Sequence, residues 1–131
     1  KFLILDLLTW MHKKKVDYTN TFCHLMNEEV VKDKDYDDKD FQVWKKRWNE
    51  RLKANKTYPE DYIKIMRSFN PLVIPRNHKV EEALKAAEKN DFKPTNQLIQ
   101  ILNKPYTKQK NMLNYQIPYQ SEKKYQTFCG T

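Results

Sequence analysis

The side chains best suited to covalent chemistry are two cysteines, Cys23 and Cys129, and three histidines, His12, His24 and His78. Cys129 stands third from the end of the sequence, behind Phe128 and beside Gly130, the only glycine in 131 residues. A thiol near a chain end is expected to be reachable, and thiol–disulfide exchange needs a thiolate with access to its partner. On the residues alone, a redox role and a passive tail residue both stay open for Cys129. Cys23 lies among Phe22, Leu25 and Met26 at helical spacing and reads as a small buried hydrophobe. His78, at a helix start, can act as a base or make a structural hydrogen bond. Arg76 can grip a phosphate or carboxylate, or pair with groups that fix the backbone around it. The adjacent Glu81 and Glu82 point in different directions from a helix and read as solvated.

Other chemistries lack their residues. No Ser-His-Asp or Cys-His arrangement can be placed, and the cysteines and histidines show no paired zinc-ligand spacing. Asp33, Asp35 and Asp37 resemble the start of a calcium loop. The glycine such a loop requires is absent, and Trp44 occupies the place of its bidentate glutamate. A single glycine cannot build a glycine-rich phosphate cradle. No catalytic, cofactor-binding or metal-ligating residue is therefore assigned.

The elements that must position Cys129, Arg76 and His78 read as helices. Leu3, Ile4, Leu7, Leu8 and Met11 recur at helical spacing, with Lys13, Lys14 and Lys15 complementing the dipole at the helix end. A second short helix follows Asp17. The charged run 27–40 reads as a loop, and Asp40 as the cap of the next helix, along which Phe41, Trp44, Trp48 and Leu52 form a stripe. Such a stripe is core or, less commonly, a base-stacking surface. Pro59 opens a further helix with Tyr62, Ile63, Met66 and Phe69 as its apolar face. Asn70 and Pro71 stop it, because proline cannot donate to the helix ladder and pushes the residue before it out of helical geometry. Leu72-Val73-Ile74, closed by Pro75, reads as an extended buried connector. Asn77 is the expected cap of a helix over 78–89 with Val80, Leu84 and Ala87 inward. Pro94 and Thr95 open a last helix with Leu98, Ile99, Ile101 and Leu102 as its apolar set, ended by Pro105. Residues 105–131 lack periodicity and read as an extended tail held by single aromatic anchors. The expected fold is all-α: an irregular bundle of about five to six helices in one domain, with a helical body over 1–104.

Composition bounds the class. Charged residues make up 32% and aromatics 13%, which is polar yet too rich in rings for a disordered chain. Net charge is +8, spread as +2 over 1–26, −4 over 27–40 and +10 over 41–131. A basic surface can meet nucleic acid or an acidic protein, or it is a solvated lysine face. Two cysteines exclude a disulfide-rich secreted scaffold. The apolar run from Phe2 to Met11 precedes its lysines, is interrupted by Asp6 and is too short to span a membrane. The expectation is a cytoplasmic chain without a membrane partner. Its start at Lys1, already inside a helical pattern, reads as a piece of something longer.

Asn70-Pro71-Leu72-Val73-Ile74-Pro75-Arg76-Asn77-His78, followed by Val80-Glu81 and a helix of small residues, resembles the signature near the end of selenoprotein O proteins, the kinase-like protein adenylyltransferases. Other segments resemble the family in the same order: Asp17-Tyr18-Thr19 with Thr21-Phe22, Trp44 through Leu52, Leu102 through Tyr106, and Tyr125 through Thr131. The resemblance covers essentially the whole chain. It implies a parent with a protein-kinase-like fold that transfers AMP from ATP, with Mg2+ or Mn2+, to Ser, Thr or Tyr hydroxyls of protein substrates. Its nucleotide and metal residues lie in an upstream kinase-like core, the implied partner of this helical C-terminal extension, and none carries over here. The resemblance makes Asn70, Pro71, Pro75, Arg76, Asn77 and His78 a structural signature. It makes Cys129 a redox residue, since the family places selenocysteine or cysteine third from the end and can pair it with a cysteine of the core. Cysteine at this position implies a bacterial cytoplasmic parent. The rival reading is a basic helical module that engages nucleic acid, or another protein, through the +10 portion with Trp44 and Trp48.

Overall fold

The computed structural model describes residues 2–28 and 34–119. Among them every regular element is helical: α1 (Phe2–Lys14), α2 (Tyr18–Leu25), a 3-10 turn (Lys34–Asp37), α3 (Lys39–Ala54), α4 (Pro59–Phe69), α5 (Asn77–Ala87), α6 (Lys93–Leu102) and α7 (Leu113–Gln116). The all-α expectation holds, with seven α-helices among the described residues. The chain forms two compact units, 1–70 and 71–131.

In the 1–70 unit, α1 packs on α3. Leu7, Trp10, Met11, Leu25, Tyr36, Phe41 and Trp44 make one buried cluster. Phe41 is wholly buried, its ring centroid 4.6 Å from that of Trp10 and 5.4 Å from that of Tyr36. Aromatic cores need their polar edges satisfied. Trp44 Nε1 accordingly donates to the Leu3 carbonyl at 2.8 Å, and Trp10 Nε1 donates to Asp38 Oδ1 at 3.0 Å. Cys23 is buried, as its apolar neighbours indicate.

The cap of α3 is Asp38, not Asp40. The Asp38 carboxylate accepts from the backbone N–H groups of Asp40 and Phe41 and also holds Lys14 Nζ at 2.6 Å. One side chain thus ties the start of α3 to the end of α1. The charged run is not all loop either. Its 3-10 turn drives Tyr36 into the core, where the hydroxyl lies 3.1 Å from Thr21 Oγ1. Along α4 the expected apolar face is only partly used: Tyr62, Ile63 and Met66 are half-buried, while Phe69 is 77% exposed.

In the 71–131 unit, α5 and α6 pack together. The buried residue of α5 is Ala83; of the expected inward set, Val80 and Ala87 are half-buried and Leu84 is exposed. A small side chain lets α6 approach closely enough for Thr95 Oγ1 to reach the Ala83 carbonyl at 3.3 Å. On α6, Leu98 and Ile101 are buried and Ile99 is exposed. The aperiodic stretch after Pro105 contains α7; Met112 and Gln116 are buried, and of the expected aromatic anchors Tyr115 is half-buried while Tyr106 and Tyr119 are exposed. The expected anchors Tyr125 and Phe128 lie outside the described residues.

Helices in this chain end without glycine. Lys15, Asn27, Lys56, Asn90 and Asn111 have φ between 54° and 63°. Four of them follow α1, α2, α3 and α5. Asparagine tolerates this left-handed geometry, but lysine adopts it at a steric cost.

Candidate functional site

The signature 70–78 resolves into local roles. Asn70 terminates α4 in extended geometry, and both its backbone N–H and its side-chain Nδ2 donate to the Met66 carbonyl, at 2.9 and 2.8 Å. Pro71 begins a stretch without regular structure in which Leu72 and Val73 are buried. A buried extended segment must still satisfy its backbone groups. Leu72 N–H donates to the Pro105 carbonyl at 2.7 Å, and the Leu72 carbonyl accepts from Gln116 Nε2 at 2.6 Å. Sequence reasoning missed Gln116; a lone glutamine in an aperiodic stretch carries no local signal of burial.

Pro75 is exposed. The N-cap of α5 is Arg76, whose carbonyl accepts from Lys79 and Val80 N–H at 2.9 and 3.0 Å, without a side-chain cap bond. Asn77, the expected cap, is instead the first helical residue and is exposed. Extended geometry ends at Arg76, one residue before the expected cap, so the helix starts one residue earlier. Half-buried His78 faces Tyr119, with ring centroids 5.7 Å apart. Burial pushes the imidazole below its ordinary pKa, and the Lys79 charge pushes the same way.

His78 and Tyr119 line a cavity of about 260 Å³ with Lys79, Asn114 and Ile117. The last three residues also border a second cavity of about 440 Å³ reaching Glu82, Gln97 and Asn111. Lys79 Nζ is already held by Glu82 at 2.8 Å. This cleft can offer amide and ring contacts, but it contains no nucleophile matched to a base. In the 1–70 unit, a cavity of about 520 Å³ lies between Lys53, Lys56, Tyr58 and Tyr62.

Among the described residues no group of three or more His, Cys, Asp or Glu side chains is placed so that it could hold a metal ion, and these residues contain no glycine. Asp35 and Asp37 sit in the 3-10 turn, while Asp33 lies outside the described residues. Cys129, the expected redox residue, also lies outside them. Trp44 is in the core and stacks on Trp48 at 5.7 Å, and Trp48 meets the edge of Tyr62 at 5.2 Å. The Trp44 ring is therefore spent on packing and is not offered to a nucleic-acid base. No described helix is long and apolar enough to cross a membrane.

Comparison with known proteins places these features in a family. The family model described as protein adenylyltransferase SelO matches residues 1–103. The protein nucleotidyltransferase YdiU of Pelagibacter ubique is 47% identical over 132 aligned residues, covering 100% of this chain and 27% of its own length. The proteins of the same name from Alcanivorax borkumensis and Clostridium beijerinckii are 46% and 42% identical, each covering 98% of this chain and 27% and 26% of their own lengths. The chain thus spans about a quarter of the length of these curated relatives.

Proposed function

The chain belongs to the SelO family of protein adenylyltransferases, and from that premise we propose that it is the helical C-terminal portion of an enzyme that transfers AMP from ATP to protein Ser, Thr or Tyr hydroxyls. The observation that carries this reading is identity of 47% sustained over the whole chain with a protein nucleotidyltransferase. ATP, with Mg2+ or Mn2+, would supply the adenylyl group in the remainder of the parent. The residues of this chain hold helices, connectors and caps in place around that remainder and bind no nucleotide. The bacterial relatives support a bacterial parent.

Full-length parent supplied with ATP labelled at the α-phosphate is expected to label acceptor protein, and ATP labelled at the γ-phosphate is expected not to. Transfer of the γ-label alone would make the parent a kinase and end this reading. The 131-residue chain by itself is expected to transfer neither.

Cys129 has a regulatory role in this proposal. Its thiol and a cysteine of the core lose two protons and two electrons to a disulfide oxidant and form an S–S bond, which restrains the tail and shifts the population of the active state. Non-reducing peptide mapping of the oxidised parent is expected to show a Cys129-linked peptide that Cys129→Ser abolishes. A map unchanged by that substitution contradicts the redox role.

A further inference from the structure

We infer that α1 carries a second docking face, formed by Ile4, Leu5 and Leu8 with Phe2 at its end, and that the portion of the parent protein outside these 131 residues covers it. The inference rests on the family reading and names the surface through which the two parts meet.

The sequence of α1 is apolar on nearly all sides. A helix of that kind belongs in an interior, whereas a helix at a surface keeps a polar face. Only one side of α1 is used within its unit, where Leu7, Trp10 and Met11 are buried. At 100° per residue, Ile4, Leu5 and Leu8 centre roughly 110° around the axis from that side. Their exposures are 67%, 54% and 40%, and Phe2 is 76% exposed. Ile4 and Leu8 are one turn apart, and Leu5 and Leu8 lie three apart, so the side chains adjoin as one patch. Scattered exposed apolar residues need no explanation, but an adjoining set of this size marks an interaction site.

Charge does not interrupt the patch. The one acid of α1, Asp6, lies on another side and is paired with Arg47 at 2.8 Å. By contrast the outward side of α3 carries Lys46 and Glu50 among its exposed residues.

The length of the relatives identifies the occupant. They match this chain along its whole length with only 26–27% of their own. Nearly three quarters of the parent's sequence is therefore available to cover the face.

The test uses the full-length parent with Leu8 replaced by p-benzoylphenylalanine. Irradiation followed by peptide mass spectrometry is expected to give adducts on peptides outside residues 1–131. The same probe replacing Val43, which is 62% exposed on α3, is expected to give at least tenfold less. Adducts confined to residues 1–131, adducts between heavy and light copies in a mixed sample, or a yield at position 8 no higher than at position 43 would each overturn the inference. Hydroxyl-radical footprinting of the unsubstituted parent guards against a probe that disturbs folding. Leu5 and Leu8 are expected to oxidise at least tenfold more slowly than Val43, and equal rates contradict the covered face. AMP transfer by the same preparation separates the two ideas. Transfer with an open α1 face removes only the docking inference, and a covered face without transfer removes only the proposed function.

Discussion

Replacing Phe41 with alanine removes the ring on which the core of the 1–70 unit converges. Phe41 is fully buried, and its centroid lies 4.6 Å from Trp10, 5.4 Å from Tyr36, 5.7 Å from His24 and 5.8 Å from Trp44. Burying a phenylalanine side chain contributes up to about 3 kcal/mol by area alone, and truncation to alanine in a core costs about 3–5 kcal/mol once the cavity is included. The upper part of that range applies here. Four large rings surround the site, and three of them are tethered by hydrogen bonds, Trp10 to Asp38, Trp44 to Leu3 and Tyr36 to Thr21, so they cannot collapse freely into the space. At about 0.05–0.15 kcal/mol per residue, a unit of this size has roughly 4–10 kcal/mol in total, so Phe41→Ala removes a large fraction of it. Urea denaturation followed by tryptophan emission reads this unit selectively, because all three tryptophans, Trp10, Trp44 and Trp48, belong to it. Val43→Ala, on the same helix but exposed, is expected to stay within about 0.5 kcal/mol. A loss below about 1.5 kcal/mol for Phe41→Ala, with an unchanged denaturant slope, would refute the packing argument.

Acid should weaken the 1–70 unit in two steps. Burial, and then the Lys45 charge, hold His24 below its ordinary 6.5, with Asp37 opposing; the unfolded chain therefore takes up the proton first. Stability is full above about 6.5 and declines as pH falls from there to the depressed folded value, so a urea midpoint no lower at pH 5.5 than at 7.5 would contradict this. The hydrogen bonds from Lys14 and then Trp10 lower Asp38 to about 2, so its contribution is full above 3.8 and is lost as pH falls through about 2. Asp38→Asn should flatten that acid limb in a pH titration of the tryptophan signal, and an unaltered limb argues against the capping node. Gln116→Leu is expected to cost the 71–131 unit about 1–3 kcal/mol by removing the donor to the buried Leu72 carbonyl. Amide exchange at residues 72–73 should then accelerate; exchange as slow as in the unsubstituted chain would dismiss the role of Gln116. Lys56→Gly should stabilise the 1–70 unit by about 1 kcal/mol, since φ of 54° costs lysine and not glycine, and a lower urea midpoint would show that the conformation is not the limiting feature.

Much of the helical order was legible because its signals are local. Pro59 at a first helical position and Asn70-Pro71 at a helix end fall where expected. Asp17 caps α2, accepting from Asn20 N–H at 2.9 Å. Cap choice was less legible where candidates crowd: Asp35, Asp37, Asp38 and Asp40 are all chemically fit, and only the position of Trp10 and Lys14 singles out Asp38. Periodicity also overreached. It nominated Leu84, Ile99 and Phe69 as inward residues, because a pattern of apolar spacing states that a face can be buried without stating what buries it. The residues with no pattern at all, Tyr36 in a charged run and Gln116 in an aperiodic one, became core through contacts over 15 and 44 positions.

Read alone, the sequence determined the all-helical class, most helix boundaries, the burial of Cys23 and the family likeness carried by 70–78. Those properties follow from steric and hydrogen-bonding rules acting within a few residues, and from motif order. Tertiary structure decided which side of each helix is used, that Trp44 belongs to a core, that Asp38 joins α1 to α3, and that one apolar side of α1 stays open. Each of these depends on groups far apart in the chain meeting in space, and burial is settled only when both sides of a contact are in place.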